Sequence, residues 1–168
     1  MIAEIQEFLD RGGPVLLLIA ITTFFMWALI LERLFYFHIA HKAVATEAVD
    51  EWRSRSDRKS TMARWVRDKI VSEVRQKAES NIILAKAAVA LAPLLGLLGT
   101  VTGMVTVFDI MALTDGADAQ AMAGGVSRAT IPTMAGMVVS ITGIPFASGM
   151  MRKANRLVQA VDDDLEIG

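Results

Sequence analysis

The 168-residue sequence contains no cysteine, which excludes a disulfide framework, a thiolate metal site and a thiol nucleophile. It has two histidines. His38 and His41 lie three apart on one helical face, yet two ligands without a nearby third make a poor metal site, and an interfacial pair near the headgroups is the plainer reading. No Ser-His-Asp set, phosphate-binding glycine loop or paired catalytic carboxylate stands out. The chain therefore reads as a non-enzyme with no metal and no cofactor. A net charge of -1 excludes a strong overall field, and nucleic acid is not an expected partner.

The most telling absence is of charge from three long runs: Pro14 to Leu31, Ala87 to Phe108 and Ala129 to Met151. Hydrophobic residues make up 54% of the chain and mean hydropathy is +0.45, too high for an ordinary soluble domain. The first run, at 1.5 Å per helical residue, spans about 27 Å, close to the roughly 30 Å hydrocarbon core of a bilayer. The other two are longer. Ahead of them, Ile2, Ile5, Phe8 and Leu9 share one face of a short helix suited to the membrane interface. That acidic start does not resemble a cleaved signal peptide, so the first apolar segment is expected to be retained. Gly12 and Gly13 break the helix, and Pro14 suits the first turn of the next.

The basic residues orient the chain. Twelve lie between the first two runs, from Arg33 to Lys86; none follows the second run before Arg128; and Arg152, Lys153 and Arg156 follow the third. The positive-inside rule then puts the N-terminus and the second connection outside, and the first connection and the C-terminus inside. In the first connection Met62, Val66, Ile70 and Val74 recur at i,i+4 with Trp65 beside them, while Ser54 to Ser60 has the polar composition of a break between two helices. The predicted plan is an all-α membrane protein with three transmembrane helices extended by cytoplasmic amphipathic helices. Its parts are a periplasmic interfacial helix at 1–11, transmembrane helices at 14–37, 85–111 and 128–151, a cytoplasmic helical connection at 38–84, a periplasmic loop at 112–127 and a cytoplasmic tail helix at 152–168. Leu157, Val161 and Leu165 give that tail a face to pack on the same bundle.

Two faces of small and hydroxylated residues stand out inside the runs. At 100° per residue, Ala92, Gly96, Gly99, Thr100, Gly103 and Thr106 fall within about a third of the second helix. In the third, Ala129, Thr130, Thr133, Gly136 and Ser140 share a similar sector. Small residues let helix backbones approach where lipid leaves no hydrophobic driving force, so Gly96, Gly99, Gly103 and Gly136 read as packing positions. The hydroxyls could line a polar path or simply bond back to their own helices. Neither face carries an Asp, Glu or His at mid-membrane depth. A proton relay normally needs such a group in the span, so a proton path here would need another chain to supply it.

The stretch APLLGLLGTVTGMVTVF, Ala92 to Phe108, closely resembles the second-span signature of the MotA/TolQ/ExbB proton channel family. The three-span plan is similar to its shorter, ExbB-like members of TonB systems. The resemblance implies a bacterial inner-membrane channel subunit, a homopentamer around a dimer of a single-span ExbD or TolR-like partner whose transmembrane aspartate carries the proton. Proton flow would drive work passed by a TonB or TolA-like protein to the outer membrane. By motif, pore-lining positions carry over to Thr100 in GLLGTVTG and Thr133 in IPTMAG, with Thr106, Thr130 and Ser140 as further candidates. The family's third span usually has a glutamate five residues before its threonine, where this chain has Arg128. Arg128 is either an anchor at the outer interface, paired with Asp109 or Asp115, or a charge at the pore mouth. Glu32 either marks the cytoplasmic exit or pairs with Arg33 or Lys86. The competing function is a non-conducting scaffold that stabilises a single-span partner.

Overall fold

The computed structural model describes residues 2–57, 60–113 and 119–165, and side chains from residue 12 onward except 40–42, 113, 119 and 121. They form four helices in the order α1 (Ile2–Arg53), α2 (Thr61–Glu79), α3 (Ile82–Leu113) and α4 (Ala119–Asp164), with no strand among the described residues. Three stretches are long and apolar enough to cross a membrane: Gly12–Ile39, Thr61–Ala112 and Met122–Asp164. The chain is a multi-pass membrane protein.

Local chemistry explains where the helices stop. Gly13 is non-helical inside α1, at φ 66° and ψ -167°, a backbone conformation that glycine adopts without the penalty other residues meet. The following Pro14 starts the next helical segment with its fixed φ. At the other end of α1, Ser60 caps α2 by accepting the Ala63 N–H at 3.1 Å, satisfying one of the orphan donors of a helix start. Between α2 and α3 Asn81 takes φ 61°, the left-handed region that asparagine tolerates better than most residues. The Ser80 N–H closes α2 onto the Gln76 carbonyl at 3.0 Å. Pro93, Pro132 and Pro145 lie inside α3 and α4, which continue through them.

Contacts divide the chain into two compact units, residues 1–27 with 86–144 and residues 28–85 with 145–168. In the first, the α1 residues Val15, Leu16, Ile19 and Met26 are buried together with Val89, Ala92 and Val107 of α3 and Ala129 of α4. Gly143 makes room for Met26, whose sulfur lies 2.8 Å from where a Cβ would stand on that glycine. The large residues point elsewhere: Leu94, Leu97, Leu98, Val101 and Val105 of α3 and Met134, Val138 and Ile141 of α4 are exposed. Such side chains lose nothing against hydrocarbon, which is as apolar as they are.

The second unit is held partly by alanine. Ala63, Ile70, Val74 and Ala78 are the buried stripe of α2, and Ala147, Ala154, Val158 and Val161 are that of α4, with Leu165 buried just beyond its end. Trp52 of α1 is 2% exposed. Met62 and Trp65, expected on the apolar face of α2, are instead exposed, Trp65 at 72%. Ala63 and Ala78 occupy the inward face in their place, because short side chains let helix axes approach while the bulkier pair fits only outside. In the tail Val161 and Leu165 are buried, but Val158 takes the inward place expected of Leu157, which is half-buried.

Two arginines close this unit. Arg33 is 5% exposed. Its Nη1 donates to the Lys77 carbonyl at 2.8 Å, its Nε to Glu32 Oε2 at 3.1 Å, and its guanidinium lies 4.6 Å from the Tyr36 ring centre. Lys77 is in the last turn of α2, where carbonyls lack intrahelical partners and a cation is favoured. Arg67 donates to the carbonyls of Leu165 and Asp162, both at 2.9 Å, and pairs with the Asp162 carboxylate at 2.7 Å.

Candidate functional site

The site lies in the first unit, where α3 and α4 meet through residues without bulk. A Cβ on Gly96 would stand 2.9 Å from both the Pro132 carbonyl oxygen and Thr133 Cα, and one on Gly103 would stand 2.8 Å from Ala129 Cα. Both are closer than a side-chain carbon normally approaches backbone. Gly99 abuts the Pro132 ring and Val15, and Gly136 abuts the Ala92 carbonyl and Gly96 Cα. The four glycines thus form one seam. Pro132 is part of it, almost fully buried against Gly99, and its ring supplies the shape that fills the glycine groove.

At this close approach the two central hydroxyls meet. Thr133 Oγ1 donates across the seam to the Gly96 carbonyl at 2.9 Å, and Thr100 Oγ1 lies against Thr133 Oγ1 in a direct hydrogen bond. Each hydroxyl has one proton and two lone pairs. With the Thr133 proton on Gly96 O, the Thr100 proton goes to Thr133 Oγ1, and the lone pairs of Thr100 remain to accept from outside the seam. Both threonines are half-exposed. Thr133 is five residues beyond Arg128, about 7.5 Å along the helix, so the pair lies inside the uncharged runs of both helices.

The other candidate hydroxyls stand apart from this pair. Thr106 is exposed and bonds the Thr102 carbonyl of its own helix at 3.1 Å. Thr130 is exposed and bonds the Ser127 carbonyl at 2.8 Å. Ser140 is 8% exposed, two turns along α4 from Thr133. Of the two charged candidates, Glu32 accepts from Arg33 and, at 3.1 Å, from the Asn81 amide. Its partner is Arg33, and both belong to the second unit. Arg128 is exposed and forms no ion pair among the described residues; Asp115 lies outside them. His38 has its Nδ1 2.9 Å from the Leu34 carbonyl of its own helix, and the His41 side chain lies outside the described residues.

Below the Arg128 end of the seam a groove of about 300 Å³ opens, bounded by residues 12–15 of α1, the Gly99 to Ile110 face of α3 and the Gly125 to Pro132 face of α4. Thr102, also lining it, was not singled out in the sequence; its hydroxyl bonds the Leu98 carbonyl at 3.0 Å.

The sequence profile of the MotA/TolQ/ExbB proton channel family matches residues 36–163. The chain belongs to the MotA/TolQ/ExbB proton channel family. Among relatives, it is 40% identical over 67 residues to biopolymer transport protein ExbB-like 3 of Synechocystis sp., covering 39% of this chain and 32% of that protein. It is 48% identical over 61 residues to ExbB-like 1 of the same organism, covering 34% of this chain and 24% of that protein. The matched stretch is therefore a third or less of each relative's length. Membership gives the Thr100–Thr133 pair its context: a family of proton channels, and two facing hydroxyls inside the membrane-crossing runs.

Proposed function

We propose that this chain is the wall-forming subunit of a proton channel in a bacterial inner membrane. It assembles as a homo-oligomer, a pentamer, around a single-span ExbD or TolR-like dimer. The partner's carboxyl group carries the proton, and the motion coupled to its transfer does work on a TonB or TolA-like protein serving outer-membrane transport. In this arrangement the N-terminus and the α3–α4 connection are periplasmic, and α2, the end of α1 and the end of α4 are cytoplasmic.

The observation that carries the reading is the Thr100–Thr133 pair. A protonated carboxylic acid brings one O–H donor, and a threonine whose proton is already committed offers it an acceptor. When the acid ionises it becomes an acceptor only, and the Thr100 proton can turn to it while Thr133 stays bonded to Gly96 O. The pair thus serves both protonation states of a partner carboxyl without titrating itself. No acid among the described residues lies on the seam faces, consistent with a titrating group from another chain.

The test is proton flux into liposomes holding this chain with and without a coexpressed single-span partner. The expected outcome is partner-dependent flux that falls by about tenfold or more in the Thr100→Val/Thr133→Val double variant, the order expected for losing a hydrogen bond to a charged group, with assembly intact. Full flux in that variant sinks the pore assignment. Absence of flux with the partner present selects the scaffold instead.

A further inference from the structure

We propose that the groove at the Arg128 end of α3 and α4 is a binding site for one anionic phospholipid, with an acyl chain along its apolar wall and the headgroup phosphate on the Arg128 guanidinium. Three observations meet there. The groove holds about 300 Å³, at the small end of the roughly 300–1,000 Å³ of small-molecule sites. Its walls are mostly apolar or glycine, including Gly13, Val107, Ile110 and Pro132, with hydroxyls at Thr102 and Thr106. Arg128 is the one charged residue on its rim among the described residues.

Depth favours a lipid over a soluble anion. The uncharged run of α4 begins at Ala129, immediately after Arg128, so the guanidinium stands at the boundary between hydrocarbon and headgroups, while the groove continues beside residues of the run. A side chain of this length reaches the headgroup layer from such a position, and its planar fork matches a phosphate bidentately. A hydrocarbon tail laid in such a cleft gains dispersion contacts with its walls. Nothing within 4 Å would meet a Cβ on Gly13, so the space on that side is open, and its φ of 66° keeps larger residues out.

The site concerns one chain and a lipid, and it stands or falls separately from the proton-channel reading. The test uses the full chain, delipidated in mild detergent and titrated with phosphatidylglycerol or phosphatidylcholine, with bound lipid counted by native mass spectrometry. Both lipids offer the phosphate, but the choline cation of phosphatidylcholine repels the guanidinium that its phosphate attracts, so phosphatidylglycerol is expected to bind about tenfold tighter, the scale of one nearby unit charge. Arg128→Gln should remove that preference, Arg128→Lys should keep much of it, and Thr102→Leu, which fills the groove, should weaken both lipids. Arg152→Gln, a cation outside the groove, should change nothing. Equal binding of the two lipids, or an unchanged preference in Arg128→Gln, overturns the assignment. A photoreactive residue at Thr102 provides a second measurement in native membranes: a lipid adduct supports the site, whereas a protein adduct shows that another helix covers the groove and overturns it.

Discussion

Gly96→Ala tests the seam most directly, because the new methyl group meets backbone on the facing helix and no side chain can swing away. Its Cβ would lie 2.9 Å from Pro132 O and from Thr133 Cα. Relief to an ordinary carbon contact of about 3.5 Å requires α3 and α4 to separate by roughly half an ångström. The Thr133–Gly96 bond, now 2.9 Å, would lengthen to about 3.4 Å, beyond the 2.5–3.0 Å range of a good O–H···O bond. Overpacking of this kind costs about 1–3 kcal/mol, and an interhelical hydrogen bond in a membrane protein is worth about 0.6 kcal/mol. Alanine returns about 1 kcal/mol through its better helix propensity. The net loss is about 1–2 kcal/mol. Gly149→Ala is the matched control: its Cβ would meet only Arg152 Nη2, at 3.9 Å, so the propensity gain stands alone. Thermal unfolding in detergent, followed by helical circular dichroism, should show Gly96→Ala melting below the parent and Gly149→Ala at or above it. A Gly96→Ala protein as stable as the parent would refute the close-contact reasoning.

Three other outcomes follow from the second unit and the threonine pair. Arg33→Met removes the bond to the Lys77 carbonyl and the Glu32 pair from a site 5% exposed, and should cost about 2 kcal/mol. Glu32→Gln leaves the Lys77 bond in place and should cost under half as much in the same melt; equal losses would mean that the ion pair, and not the helix-end bond, matters. Acrylamide should quench Trp65, 72% exposed, far more than Trp52, 2% exposed, measured on single-tryptophan variants; a protected Trp65 would mean that a second chain covers it. In the liposome assay Thr100→Val should lower flux more than Thr133→Val, because Thr100 presents its lone pairs and proton to the partner carboxyl while Thr133 stays bonded to Gly96 O.

The spans were legible because a helix that meets water on any side seldom goes eighteen or more residues without a charge, and the helix break at Ser54 to Ser60 was legible because polar turn residues cluster there. The pairing of Thr100 with Thr133 was visible only as two similar faces. Their meeting depends on the depth at which the helices cross, which Gly96, Pro132 and Gly136 set together and no single-helix pattern contains. Met62 and Trp65 misled for a different reason. Periodicity weighs large apolar residues most heavily, while the inward face of α2 is chosen by how near the neighbouring helices lie, and Ala63 and Ala78 allow the nearer approach. In the sequence Arg33 is simply a charge closing a span. Its burial depends on an orphan carbonyl at Lys77, 44 residues away in sequence, although the clue that α2 must end somewhere with unbonded carbonyls was available.

The left-handed Asn81 has a consequence for how the chain tolerates changes of length. In an unbroken helix each inserted residue turns everything beyond it by about 100°. An insertion within α4, continuous from Ala119 to Asp164, would therefore turn every helical residue beyond it relative to those before. Between α2 and α3 the helical phase is interrupted at Ser80 and Asn81, so an added residue there can be absorbed by the turn. The joint thus acts as a phase reset between α2 and the start of α3.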